Sequence, residues 1–174
     1  MKLDLGNIRQ PHTRYDRTFA PSEVEMGDDE YRVVAPVDLG FDIYKDKEAF
    51  RLVGTVRTEL ELPCSRCLEP FRFPVDVEFD LRYLPQADPS PDEEREVAEE
   101  DLETAFYRNE EIDLNELLRE QFYLALPMKP LCRDECRGLC PQCGTNLNAG
   151  TCDCGPGWED PRLAALKQLK SRES

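Results

Sequence analysis

The chain has 174 residues, with 22 Lys and Arg against 37 Asp and Glu and a formal charge of −15 at pH 7. That length suits one domain, or a domain plus a small module, and the charge argues against broad, nonspecific phosphate binding, which requires a basic surface. No apolar run reaches the roughly 18 residues of a membrane span, and residues 1–10 lack the pattern of an export signal, so a cytoplasmic protein is expected.

The acid is concentrated in the middle of the chain. Residues 1–80 carry 11 basic against 17 acidic groups, residues 81–126 carry 4 against 14, and residues 127–174 carry 7 against 6. Residues 1–30 read as an N-terminal arm of mixed charge, with Arg9, His12, Arg14 and Arg17 placed before the acidic residues from Glu23 to Glu30. This basic group is a candidate contact for an anionic partner, weighed against ordinary solvated surface. His12 is the sole histidine, and Thr13 and Arg14 beside it supply no ligand or catalytic spacing.

From residue 31 apolar and charged residues alternate with period two over 31–35, 37–44, 50–62 and 71–83, the pattern of half-buried antiparallel strands. Cys64 and Cys67 fall between the last two runs, where a hairpin tip is expected, and Pro63 and Pro70 keep the strands from continuing through the turn. Residues 85–101 hold three prolines and eight acids with almost no large apolar group, which predicts a solvated acidic loop. A nucleic-acid mimic is the sharper reading of that loop. Residues 104–108 suit a returning strand.

Asp113 is a good helix N-cap, with Glu116 three positions on as a capping-box partner. Leu114, Leu117, Leu118, Gln121, Phe122, Leu124 and Ala125 then define a broad face to pack on the sheet, and Pro127 ends the helix. Each large apolar side chain taken fully out of water there contributes about 1.5–3 kcal/mol. Residues 31–126 thus read as a β-rich body with one packed helix and an acidic loop. Residues 127–174 read as a Cys-rich module ending in a helix that starts at Asp160 and Pro161 and carries Leu163, Leu166 and Leu169. The fold class expected is α+β.

The module holds six of the eight cysteines, Cys132, Cys136, Cys140, Cys143, Cys152 and Cys154. In a reducing compartment such clustered pairs are metal ligands or redox groups more often than disulfides. Cys140-Pro-Gln-Cys143-Gly144 is the most specific piece: its backbone wraps the first sulfur, and the glycine after the second supplies the left-handed or otherwise unusual backbone that the turn demands. Cys152 and Cys154 close the same site. The remaining four, Cys64, Cys67, Cys132 and Cys136, form a second site that staples the hairpin tip to the segment after the helix. Two structural zinc ions are the expected cofactors; other partitions of the eight cysteines and an iron–sulfur cluster remain open, because four thiolates suit both.

Catalysis is not expected. A catalytic zinc keeps an open position and a nearby acid or base, whereas these thiolates fill two closed sets of four. Pro63-Cys64-x-x-Cys67 matches half of the zinc deaminase signature, but no His-x-Glu accompanies it. A thiol-redox use of Cys64 and Cys67 would require a βαβ setting, and the neighbours read as antiparallel.

These pieces in this order resemble the YceD family of bacterial and plastid proteins, named for accumulation of large-subunit ribosomal RNA. The matching pieces are Cys64-Ser-Arg-Cys67-Leu-Glu-Pro-Phe, the acidic gap, Glu111-Ile-Asp-Leu114, Leu126-Pro-Met-Lys-Pro130, the run from Cys136 to Asn148, and Asp160-Pro-Arg-Leu-Ala-Ala-Leu166. The resemblance spans most of the chain from about residue 30 and is weakest before it. It implies a cytoplasmic ribosome-biogenesis factor that supports accumulation of that RNA, and it carries over no catalytic residue. The acidic body favours contact with basic ribosomal or ribosome-assembly proteins. The alternative is a zinc-dependent RNA binder touching ribosomal RNA through local patches, Arg9, Arg14 and Arg17 or Lys129, Arg133 and Arg137.

Overall fold

The computed structural model describes residues 1–24, 31–86 and 104–155. Residues 25–30, the acidic loop from residue 87 onward and the C-terminal helix expected from Asp160 lie outside the described residues.

Among the described residues eight strands and one α-helix follow in order: β1 (Lys2–Asp4), β2 (His12–Phe19), β3 (Arg32–Val33), β4 (Val37–Asp46), β5 (Ala49–Pro63), β6 (Pro70–Pro85), β7 (Thr104–Tyr107), β8 (Glu111–Asp113) and α1 (Leu114–Ala125). The fold is α+β, as the strand-rich pattern predicts. One sheet has the order β2-β4-β5-β6-β7, with β3 pairing a further part of β5, and a small second sheet joins β1 to β8. Period two decides which side chains go inside. Phe50, Leu52, Val56, Thr58, Leu60 and Leu62 of β5 are buried while Arg51 and Arg57 between them face water.

The long hairpin of β5 and β6 is paired from Phe50 and Tyr83 to Pro63 and Pro70. Strand β4 accompanies β5 only from Ala49 to Arg57, and β3 adds Leu60 and Glu61, so the tip at residues 64–69 extends beyond the other strands. Among the described residues pairing is antiparallel except between β6 and β7, which run parallel. A parallel return needs a connection of about a dozen residues or more, and residues 86–103 supply that length.

The N-terminal segment departs from its reading as an arm. Leu3 pairs with Ile112, the Leu114 amide donates to the Met1 carbonyl at 2.8 Å, and β2 pairs with β4 from His12 and Tyr44 to Phe19 and Val37. His12, Arg14 and Asp16 form the polar face of this edge strand, whereas Arg17 lies on the inward side over the Phe19 ring. Phe19 on that inward side is fully buried and Tyr15 stacks on Phe41 at 4.8 Å.

Helix α1 lies on β6 and β1 and buries Leu114, Leu117, Leu118, Gln121 and Phe122. Two details differ from expectation. The Asp113 carboxylate caps the helix by accepting from the Asn115 amide at 2.8 Å, one residue before the position a capping box uses. Leu124, one heptad after Leu117, is 74% exposed, whereas Phe122 before it is buried and Ala125 and Leu126 after it pack against the core.

Candidate metal centres

Two groups of four cysteines gather in the structure: Cys64, Cys67, Cys132 and Cys136, and Cys140, Cys143, Cys152 and Cys154, with the sulfurs of each group all within 4.8 Å of one another. In the first, Cys64 and Cys67 sit on the hairpin tip. The Leu68 amide donates to the Cys64 carbonyl at 2.9 Å and the Arg66 amide points at the Cys64 sulfur at 3.5 Å, which wraps the turn around that atom. Cys132 and Cys136 arrive on the segment after α1, tied to the tip by the Ser65 amide donating to the Pro130 carbonyl at 2.8 Å. The Arg66 guanidinium closes the junction by donating to the carbonyls of Asp134 and Cys136 at 3.2 and 2.9 Å.

The second group follows at once, since only Arg137, Gly138 and Leu139 separate Cys136 from Cys140. Cys140 and Cys143 form the same turn as the hairpin tip, with the Gly144 amide donating to the Cys140 carbonyl at 2.9 Å. Gly144 takes φ +73°, as its place after the second cysteine requires, and Leu68 takes φ +62° at the equivalent place after Cys67. Residues 144–151 then fold back along residues 137–139, where the Leu147 amide donates to the Gly138 carbonyl at 2.9 Å.

The donor sets fit a tetrahedral metal. Four sulfurs at about 2.3 Å from a central ion lie about 3.8 Å apart, and the Cys64–Cys136 and Cys67–Cys132 sulfur separations are both 3.8 Å. A disulfide requires about 2.05 Å. Proton affinities within each group diverge. Burial pushes the Cys64 thiol up, but amides of Cys132, Cys67 and Arg66 outweigh it and bring it down to about 6. Burial and the neighbouring sulfurs push Cys132 up to about 12. In the second group the Thr145 hydroxyl and amide bring Cys143 down to about 6, while the hydrogen bond with Cys143, then burial, holds Cys154 up at about 12. Four close thiolates repel one another, and a divalent cation removes that conflict.

The basic candidates separate into two classes. Arg14 donates to Asp16 and Asp42, and Arg17 lies 3.5 Å from Glu23 and over the Phe19 ring. His12 is spent on Asp42 at 2.8 Å and on the Tyr44 ring. Arg9, Lys129, Arg133 and Arg137 are exposed and have no ion pair among the described residues. The last three lie on the segment that carries Cys132 and Cys136.

Two surface features had no signal in the sequence because distant elements build them. A groove of about 270 Å³ beside Cys64 is lined by Tyr31, Leu62, Leu68, Leu126, Met128 and Pro130. A larger, polar cleft of about 590 Å³ lies among β1, β7, β8 and α1, with Lys2, Arg108, Glu111, Glu116 and Glu120 on its walls. Neither cysteine nor histidine lines this cleft.

A family model described as "Large ribosomal RNA subunit accumulation protein YceD" matches residues 52–170, a span that includes all eight cysteines. The chain is 27% identical over 192 residues to the chloroplastic large ribosomal RNA subunit accumulation protein YCED homolog 1 of Arabidopsis thaliana, covering 98% of this chain and 60% of that protein. It is 33% identical over 182 residues to an uncharacterized protein of Mycobacterium tuberculosis, covering 100% of this chain and 83% of the relative. With the large ribosomal RNA subunit accumulation protein YceD of Haemophilus influenzae the identity is 25% over 135 residues, 75% of each chain. No solved structure matches the chain. No helix of the described residues is long and apolar enough to cross a membrane.

Proposed function

The chain belongs to the family of YceD large ribosomal RNA subunit accumulation proteins, and on that premise we propose that it is a cytoplasmic, zinc-binding ribosome-biogenesis factor that works through protein contacts rather than catalysis. The observation that carries the reading is the closure of all eight cysteines into two four-sulfur groups of metal-binding dimensions. Cys64, Cys67, Cys132 and Cys136 would hold one ion and Cys140, Cys143, Cys152 and Cys154 the other. Zinc supplies cross-links there: the first ion joins the body, residues 31–126, to the module from residue 127, and the second closes the module on itself.

Contact with protein is supported by surface chemistry beside the first group. Leu68 is 65% exposed and Met128 fully exposed on the rim of the apolar groove, a patch suited to an interface. The charge of −15 around it complements a basic ribosomal or assembly protein and repels RNA over most of the surface. Direct contact with ribosomal RNA is the second reading, favoured by Lys129, Arg133 and Arg137, which are exposed and have no ion pair among the described residues.

Affinity capture from cells tests both readings. Ribosomal or assembly proteins are expected to co-purify, to survive nuclease treatment and to be depleted by the double change Leu68→Ser and Met128→Ser. Capture that nuclease abolishes, together with a mobility shift of ribosomal RNA that weakens steeply with salt, supports the RNA reading instead. An eluate with nothing from the ribosome or its assembly path removes both.

A further inference from the structure

We infer that Asn148, carried by the second cysteine group, is a positioning residue for the first group, so that the two metal centres load as a linked pair. This rests on reading both groups as metal sites. Asn148 lies between Cys143 and Cys152, in the loop whose ends the second ion would tie together. Its side chain nevertheless leaves that site and reaches the other one. The Nδ2 group donates to the Cys136 sulfur at 3.3 Å, while the Oδ1 atom accepts from the Arg137 amide at 2.8 Å. The amide orientation is fixed by chemistry, since the Arg137 N–H requires an acceptor and so turns the NH₂ group toward sulfur.

The loop holds this side chain in place by a chain of contacts. The Asn148 amide donates to Asn146 Oδ1 at 2.9 Å, Asn146 bridges to Leu139, and the Leu147 amide donates to the Gly138 carbonyl. Gly138 in turn lies against the Arg66 backbone, and the Leu139 amide donates to the Arg66 carbonyl at 3.1 Å, so the loop is anchored on the hairpin tip that bears Cys64 and Cys67. A donor aimed at a metal-bound thiolate takes up part of the sulfur's charge and fixes its direction, and losing such a partner costs about 10–100-fold in metal affinity. An ion in the second site orders residues 144–151, and with them the donor to Cys136. Coupling is reciprocal, so an ion in the first site must strengthen the second by the same factor.

The test uses the full chain, loaded with cadmium-113 for NMR and titrated with zinc against a chromogenic chelator. Two cadmium resonances are expected, and Cys152→Ser retains only that of the first site, which assigns them. In Asn148→Ala both ions remain, the first-site resonance moves and the first-site affinity falls about 10–100-fold. Cys152→Ser weakens the first site by a similar factor, and adding Asn148→Ala to it weakens the site no further. Asn148→Asp keeps an oxygen for the Arg137 amide but turns a second oxygen to the sulfur, so it binds no better than the alanine variant. A first site unchanged in affinity in Asn148→Ala, in Asn148→Asp or in Cys152→Ser overturns the coupling while leaving two metal sites standing. A wild-type chain that binds neither ion overturns the metal reading and the coupling together.

Discussion

After its second sulfur a cysteine turn reverses direction, and the residue there takes a left-handed backbone. Gly144 does so after Cys143 at φ +73°, and Leu68 does so after Cys67 at φ +62°, although a side chain makes that conformation costly. The glycine was legible in the sequence because the residue type announces the turn; the leucine gave no such signal. Gly138 is the third left-handed residue of the region, at φ +72°, and its reason lies in space. A Cβ on it would stand 3.0 Å from the Arg66 carbonyl oxygen, whereas a Cβ on Gly144 would meet nothing within 4 Å. Both Gly→Ala changes therefore cost the roughly 1–2 kcal/mol of a left-handed alanine, and Gly138→Ala adds a clash at the junction of the two cysteine groups. Urea unfolding of the zinc-loaded variants should rank Gly138→Ala clearly below Gly144→Ala in stability. Equal midpoints would mean that the junction yields to the extra methyl.

At the level of elements, the β5–β6 hairpin was the most legible part of the chain, because the alternation over 13 residues, 50–62, interrupted at Val53 and Gly54, favours one buried face. Strand β2 hid behind its charges: its alternating residues lie on an edge where Arg14 pairs with Asp16 and Asp42, which reads in sequence as a polar arm. The parallel placement of β7 depends on a crossover that no local pattern encodes. Gly54 shows what the alternation alone conceals. It occupies an inward position between Leu52 and Val56, opposite Phe41 on one neighbouring strand and Phe79 on the other, and those two rings meet at 6.0 Å over the missing side chain. A Cβ there would come within 2.3 Å of the Phe41 Cβ and 2.2 Å of the Gly40 carbonyl oxygen. Gly54→Ala should destabilise the body by about 1–3 kcal/mol through overpacking, visible as a lower denaturation midpoint with both metals still bound. An unchanged midpoint would contradict the close approach of β4 and β5.

For the whole molecule the question is what each metal closes. The main core runs from Leu3 to Phe122, and the cysteines Cys64, Cys67 and Cys136 form a separate buried cluster with Phe71, Leu131 and Cys132 at its margin. Removal of metal should therefore open the junction and leave the sheet standing. Hydrogen exchange after chelation is expected to accelerate at residues 64–69 and 131–155, while β4 and β5 keep their protection. Acid should act in the same direction, since each thiolate that holds the ion must be protonated to release it and affinity falls as pH falls. The two sites differ in the length of chain they tie together. The first joins Cys64 to Cys136 across 72 residues, a closure that removes about 4 kcal/mol of unfolded-chain entropy if counted as a single cross-link, whereas a loop of some 15 residues, as in the second, removes about 3. The first site also carries the only cysteines from the body, Cys64 and Cys67, so its loss releases the module as a unit. In excess zinc, Cys67→Ser should lower the melting temperature more than Cys143→Ser. Equal shifts, or a larger one for Cys143→Ser, would show that the first group is not the clasp between body and module.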